Sequence, residues 1–95
     1  MGNKYKQIVT EINKFCQKVK VDKLHKAQIG ITKDPERRLF SEHKITDKSY
    51  WWMYTKAENE DTARDVELHF LRMGMKGGYG GGDSESVYVY CFVKK

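Results

Sequence analysis

The sequence predicts a small α+β domain, a three-stranded antiparallel or mixed sheet flanked by about three helices, and three observations carry that prediction. Two stretches repeat apolar residues at spacings of three and four, the period of an amphipathic helix. Three short runs are rich in β-branched and aromatic residues, the composition of strands. The 95 residues suffice for one modest core and not for two, so residues 1–95 are read as a single domain.

The first helix is expected over residues 4–19, an N-terminal addition to the remaining core, with Tyr5, Ile8, Val9, Ile12, Phe15, Cys16 and Val19 on one stripe. A polar connector then leads into Ala27-Gln28-Ile29-Gly30-Ile31, a strand. Asp34 before Pro35 and Glu36 supplies a capping side chain, a proline whose fixed φ suits a first helical turn, and an acid at the positive end of the dipole. A short helix over residues 35–43 follows from that order. Tyr50, Trp51, Trp52, Met53 and Tyr54 are hard to leave in water and predict a central strand over residues 49–56. Ala63, Val66, Phe70 and Met73 predict a helix over residues 62–73, capped by Asp61 or Thr62 and stopped by Gly74. Six of the eight glycines lie at positions 74–82, after which residues 87–93 resume as a strand apolar on both faces and therefore interior.

The net charge of +5 and the pI near 9.2 favour anionic partners. Basic residues concentrate before position 49 and acidic ones at positions 58–67, so one face is expected to be positive. The longest apolar run is too short to span a bilayer, and the polar start Met1-Gly2-Asn3-Lys4 is no signal peptide; a cytoplasmic protein with no membrane partner is expected. Cys16 and Cys91 have no CxxC spacing and sit in apolar patterns, which predicts buried free thiols.

Gln28-Ile29-Gly30-Ile31-Thr32-Lys33-Asp34-Pro35-Glu36-Arg37-Arg38-Leu39, with His43 beyond, resembles the second half of the GIY-YIG nuclease signature, and the resemblance extends over residues 28–70. In that family a Tyr-Ile-Gly strand turns into a helix bearing the catalytic arginine, and a later helix bears a metal-binding glutamate. The resemblance implies that Gly30 is the motif glycine, Arg38 the arginine and Glu67 the glutamate. Gln28 stands at the place of the second tyrosine, and no Gly-Ile-Tyr strand precedes it. The group that assists the attacking water is thus missing from its place, a loss that costs about 10²–10⁴-fold where such a group acts. Tyr5, Tyr50, Tyr54 and Tyr79 are left as candidates to fill the gap.

The implied function is binding of a phosphodiester, in nucleic acid or a nucleotide-derived small ligand, by a degenerate and non-catalytic GIY-YIG-like domain. Arg37 and Arg38 open a helix whose free N–H groups favour an anion, and a guanidinium grips phosphate with two parallel bonds. Adjacent helical arginines diverge by about 100°, so a solvated charge is the competing account of one of them. Gly30, Thr32 and His43 complete this corner, although a cationic His43 at a helix C-terminus is explained by the dipole alone. Gly78, Tyr79, Gly80 and Gly81 offer a second wall, either a nest of N–H groups with a stacking ring or a plain connector. Should the chain be an enzyme, it is a Mg²⁺-dependent phosphodiesterase or endonuclease with Arg38 and Glu67 as catalytic groups and Glu67 holding the metal; otherwise no cofactor is expected. A third reading is a phage-type inhibitor that captures a host nucleotide or protein, with the glycine loop and aromatic strand forming a homo-oligomer interface.

Overall fold

A computed structural model of the protein describes residues 2–77 and 85–95. The α+β class is as expected: helix α1 (Tyr5–Lys18), strand β1 (Ala27–Thr32), a π-helical turn (Arg37–Glu42), strand β2 (Tyr50–Lys56), helix α2 (Glu60–Met73) and strand β3 (Tyr88–Lys94), with a short 3₁₀ turn (Leu24–Lys26) before β1. The sheet is antiparallel throughout, in the order β1-β3-β2. The last strand is central, as its two apolar faces predict. The aromatic strand β2 lies at an edge instead of the centre: it pairs on one side with β3, and Trp51 keeps 45% of its surface in solvent. Aromatic content measures how much surface a strand can bury, not how many neighbours it pairs with, and here β3 takes the middle because both of its faces are covered.

One face of the sheet carries the main core. Ile8, Ile12 and Cys16 of α1 and Ala63, Val66 and Phe70 of α2 pack on Ile29, Ile31, Val89, Cys91 and Val93. Burial of these side chains, each worth about 1.5–3 kcal/mol for the larger ones, is what holds the helices to the sheet. Cys16 and Cys91 are free and buried. The opposite face carries a smaller cluster of Leu39, Ile45, Tyr90 and Phe92, flanked by Tyr50, Trp52 and Tyr54. Its lid is the π-helical turn.

Helix α2 begins two residues before the expected start because Asn59, not Asp61 or Thr62, is its cap: Asn59 Oδ1 accepts from the Thr62 N–H at 2.8 Å. Gly74 ends it in the left-handed conformation, φ 115°, as a C-terminal glycine should. Beyond it, the Ile29 N–H donates to Lys76 O and the Lys76 N–H to Ala27 O, both at 2.9 Å, so the outer edge of β1 is partly covered by the chain leaving α2. Among the described residues no helix is long and apolar enough to cross a membrane.

Candidate functional site

Thr32 ends β1 and sets the turn that follows. Its hydroxyl accepts from the Asp34 N–H at 3.1 Å and donates to Asp34 O at 3.4 Å. Asp34 then caps the next turn, its Oδ1 accepting from the Arg37 N–H at 3.1 Å while its carbonyl takes the Arg38 N–H at 3.0 Å. These bonds bear on one expectation: the Arg37 and Arg38 N–H groups and the Thr32 hydroxyl already have partners within the turn. An aspartate cap does locally what the anion was expected to do.

The segment expected as a helix over residues 35–43 does turn from Pro35 onward, but Arg37–Glu42 winds as a π-helix, with the His43 N–H donating to Arg38 O at 2.9 Å. That wider winding decides where its side chains point. It seats Leu39 in the small core, leaves Phe40 39% exposed, and brings Arg38 and His43 to one side. Arg37 goes elsewhere: it is exposed and lies 3.6 Å from Glu42.

Arg38 and His43 share a hollow of about 210 Å³ with Gly30, Glu67 and Tyr90. Three elements thus converge, the π turn on one side, β1 and β3 as the floor, and α2 supplying Glu67. Gly30 and Tyr90 are cross-strand partners, and a Cβ on Gly30 would sit 2.3 Å from Tyr90 Oη. The glycine is there because the tyrosine lies across it. The Tyr90 hydroxyl shares a 3.2 Å hydrogen bond with His43 Nε2. Burial pushes the Tyr90 hydroxyl above its ordinary range, against the pull of the hydrogen-bonded Arg38 guanidinium. Burial, with Arg38 beside it, pushes His43 below its ordinary value, which favours the uncharged ring. The cation expected at the helix end is therefore disfavoured, and the imidazole faces a phenol.

Glu67 is 2% exposed, and burial raises its carboxyl to about 7, with the opposing effect of Arg64 too weak to offset it. Arg64 is committed elsewhere, to Glu60, at 2.6 Å. The charge of Arg64 still acts on Glu67, three residues on, as the lesser of the two effects. Two side-chain atoms of the hollow are buried without a hydrogen-bond partner, Glu67 Oε1 and Arg38 Nε. The latter lies 3.0 Å from Glu42 Oε1, an ion-pair contact whose direction is wrong for a hydrogen bond. A buried polar atom left in this way costs about 1–3 kcal/mol, more for a charged group.

Of the residues singled out from the sequence, Gly30, Arg38, His43 and Glu67 meet in this hollow. Thr32 and Arg37 line a neighbouring depression of about 180 Å³ that Arg38 also borders. Gly78, Tyr79, Gly80 and Gly81 lie outside the described residues. Of the candidate tyrosines, Tyr5 bonds His69 Nδ1 at 3.0 Å between the two helices, Tyr54 donates to Glu36 Oε1 at 3.4 Å, and Tyr50 packs edge-on against Phe92. Tyr90 is the residue missed. Its signal was a tyrosine on one face of the last strand, but only the register across from Gly30 gives it meaning. Among the described residues no group of three or more His, Cys, Asp or Glu side chains is arranged to hold a metal. A more capacious hollow, about 500 Å³, opens beside Tyr5, His69 and Met73, but no atom there is buried without a partner. Comparison with family models, with curated proteins and with solved structures finds no match for this chain.

Proposed function

We propose that the hollow at Gly30 binds a phosphodiester. The observation that carries this reading is a buried Glu67 Oε1 without a hydrogen-bond partner beside the Arg38 guanidinium, whose own buried Nε makes an ion-pair contact with Glu42 but no hydrogen bond, at one cavity. The guanidinium offers its N–H groups to two phosphate oxygens at once. Tyr90 Oη, already between Arg38 and His43, presents a further polar group on the same wall. The resemblance of residues 28–43 to the second GIY-YIG motif points the same way.

A carboxylate beside an anionic diester needs a proton or a cation. With its carboxyl at about 7, Glu67 carries a proton in mildly acidic solution and then donates to a phosphate oxygen. The residues also fit a hard divalent cation, because Glu67 Oε1 is an orphaned oxygen ligand and such ions accept one carboxylate with phosphate and water. Mg²⁺ held there would neutralise charge on the phosphate and polarise a water.

Binding of a short fluorescent oligonucleotide at about pH 6 and about pH 8, with and without Mg²⁺, tests the reading. Metal-free affinity is expected to fall toward pH 8 and to return with Mg²⁺, and Arg38→Ala is expected to weaken binding and to abolish both the pH dependence and its reversal by Mg²⁺. Undiminished binding by Arg38→Ala sinks it. A steep fall in affinity with salt marks a polynucleotide and a shallow one a compact nucleotide.

Metal-dependent cleavage is the second reading, and Tyr90 favours it. The phenol lies against Gly30, where the motif's own tyrosine is replaced by Gln28, and a neutral His43 Nε2 can take its proton. In this reading Tyr90 positions the attacking water, His43 holds the proton and Arg38 stabilises the charge that builds on phosphorus. Product formation from a panel of single- and double-stranded substrates in Mg²⁺ or Mn²⁺, lost in Tyr90→Phe and Glu67→Ala, is the expected result. No cleavage across the panel leaves binding alone.

A further inference from the structure

Trp51 is an anomaly of the other sheet face. It lies directly across from Val93, which belongs to the main core, and yet it is 45% exposed. Helix α1 ends at Lys18, and Phe15 and Lys18 of its last turn line a hollow together with Trp51. The ring forms a common wall of two hollows, about 240 Å³ toward Phe15, Lys18 and Trp52 and about 210 Å³ toward Lys20, Lys26 and Lys94. Five lysines, Lys18, Lys20, Lys26, Lys94 and Lys95, line these hollows against one acid, Asp22. Asp22 is already engaged by Lys26 at 3.1 Å.

This groove therefore concentrates positive charge comparable to the +5 of the whole chain around one exposed aromatic ring. Lys20 holds a left-handed backbone, φ 58°, where glycine or asparagine is the cheaper choice. Lys95 Nζ stands 4.1 Å from the centre of the Trp51 ring. Since Lys95 lines only the second hollow, the first is where the indole is open to a flat partner.

We propose that the groove along Trp51 binds single-stranded nucleic acid, one unpaired base stacking on the indole and the surrounding lysines taking phosphates. Charge complementarity selects a polyanion, and the aromatic wall selects one with flat rings. Trp51 is the one exposed apolar side chain lining these hollows, with Phe15, Val19 and Trp52 partly buried, whereas a lipid surface takes a face of several. Each hollow is smaller than a drug-sized pocket of about 300 Å³ or more, a size that suits a single base. The inference stands apart from the hollow at Arg38, which uses none of these side chains.

The test uses Trp51 fluorescence in a Trp52→Phe protein, titrated with an oligothymidylate of about 15 nucleotides. Quenching is expected, with affinity falling with salt by about 0.7 in logarithmic slope per phosphate contact. By fluorescence anisotropy of labelled oligothymidylate, Trp51→Ala should lose about tenfold or more in affinity. Lys18→Glu with Lys94→Glu should weaken binding and flatten the salt slope by about 1.4. Trp51 is half in solvent, so these variants are expected to keep the melting temperature within a few degrees, and Trp51→Phe should retain most of the affinity. Unchanged affinity in Trp51→Ala overturns the proposal. Equal or tighter binding of a duplex of the same length does so too, as does tighter binding to vesicles of phosphatidylserine and phosphatidylcholine. Arg38→Ala should leave this quenching intact while weakening diester binding at the other face; loss of both would overturn the independence of the groove.

Discussion

Replacing Gly30 by alanine puts a methyl group 2.3 Å from Tyr90 Oη, 2.4 Å from its Cζ and 2.8 Å from its Cε2. An ordinary van der Waals contact between such atoms is about 3.5–4.0 Å, so the ring must withdraw by more than about 1 Å. Gly30 does not use the left-handed backbone, and the strand itself accepts alanine. The whole cost is therefore steric. Overpacking costs about 1–3 kcal/mol, and an approach of 2.3 Å to a ring belongs in the upper half of that range; less about 0.4–1 kcal/mol regained from the stiffer unfolded chain, the net loss is about 1–2.5 kcal/mol. Tyr90 cannot withdraw without breaking its bond to His43. Urea denaturation followed by far-UV circular dichroism measures the first effect and diester binding the second. A cycle with Tyr90→Leu, which deletes the clashing atoms, should recover at least about 1 kcal/mol of the expected sum. If Gly30→Ala matches the parent within about 0.5 kcal/mol and binds equally, or if the two costs simply add, the geometry of the site is not as described.

Glu67 titrates at about 7 in the fold against an ordinary 4.5, so the folded protein holds the proton more tightly than the unfolded chain. Stability should therefore fall as pH rises through that window, by about 2–3 kcal/mol between about pH 5 and about pH 8, and Glu67→Gln should flatten the profile; urea midpoints at those two pH values decide it, and equal slopes in both proteins refute it. Asn59→Ala should cost about 1 kcal/mol and Asn59→Asp little, read as melting temperature, because the cap bond to the Thr62 N–H is the feature removed. Tyr90→Phe should change stability by no more than about 1 kcal/mol while weakening diester binding about tenfold, since one hydroxyl serves both Arg38 and His43. Equal diester affinity in Tyr90→Phe would remove the phenol from the site.

Local chemistry accounts for what the sequence determined by itself. The spacing of Ile8, Ile12 and Cys16, the Asp34-Pro35 start and the Gly74 stop each act within a few residues, and each element appears where those signals place it. The class follows, as does the central position of β3, whose run of apolar residues needs cover on both faces. Tertiary structure decided the rest. That β2 is an edge depends on which strands pair, which no run of aromatics encodes. Asn59 outcompeted Asp61 and Thr62 as a cap through the path of the chain entering α2. Tyr90 acquired its role from an antiparallel register that sets it opposite Gly30, 60 positions away in the chain by their numbering. Glu67 became a buried acid because α2 turns that face onto the sheet while Glu60 claims Arg64. Periodicity and caps are short-range and can be read along the chain. A site made by strand register, helix rotation and the withdrawal of water exists only once the chain has closed on itself.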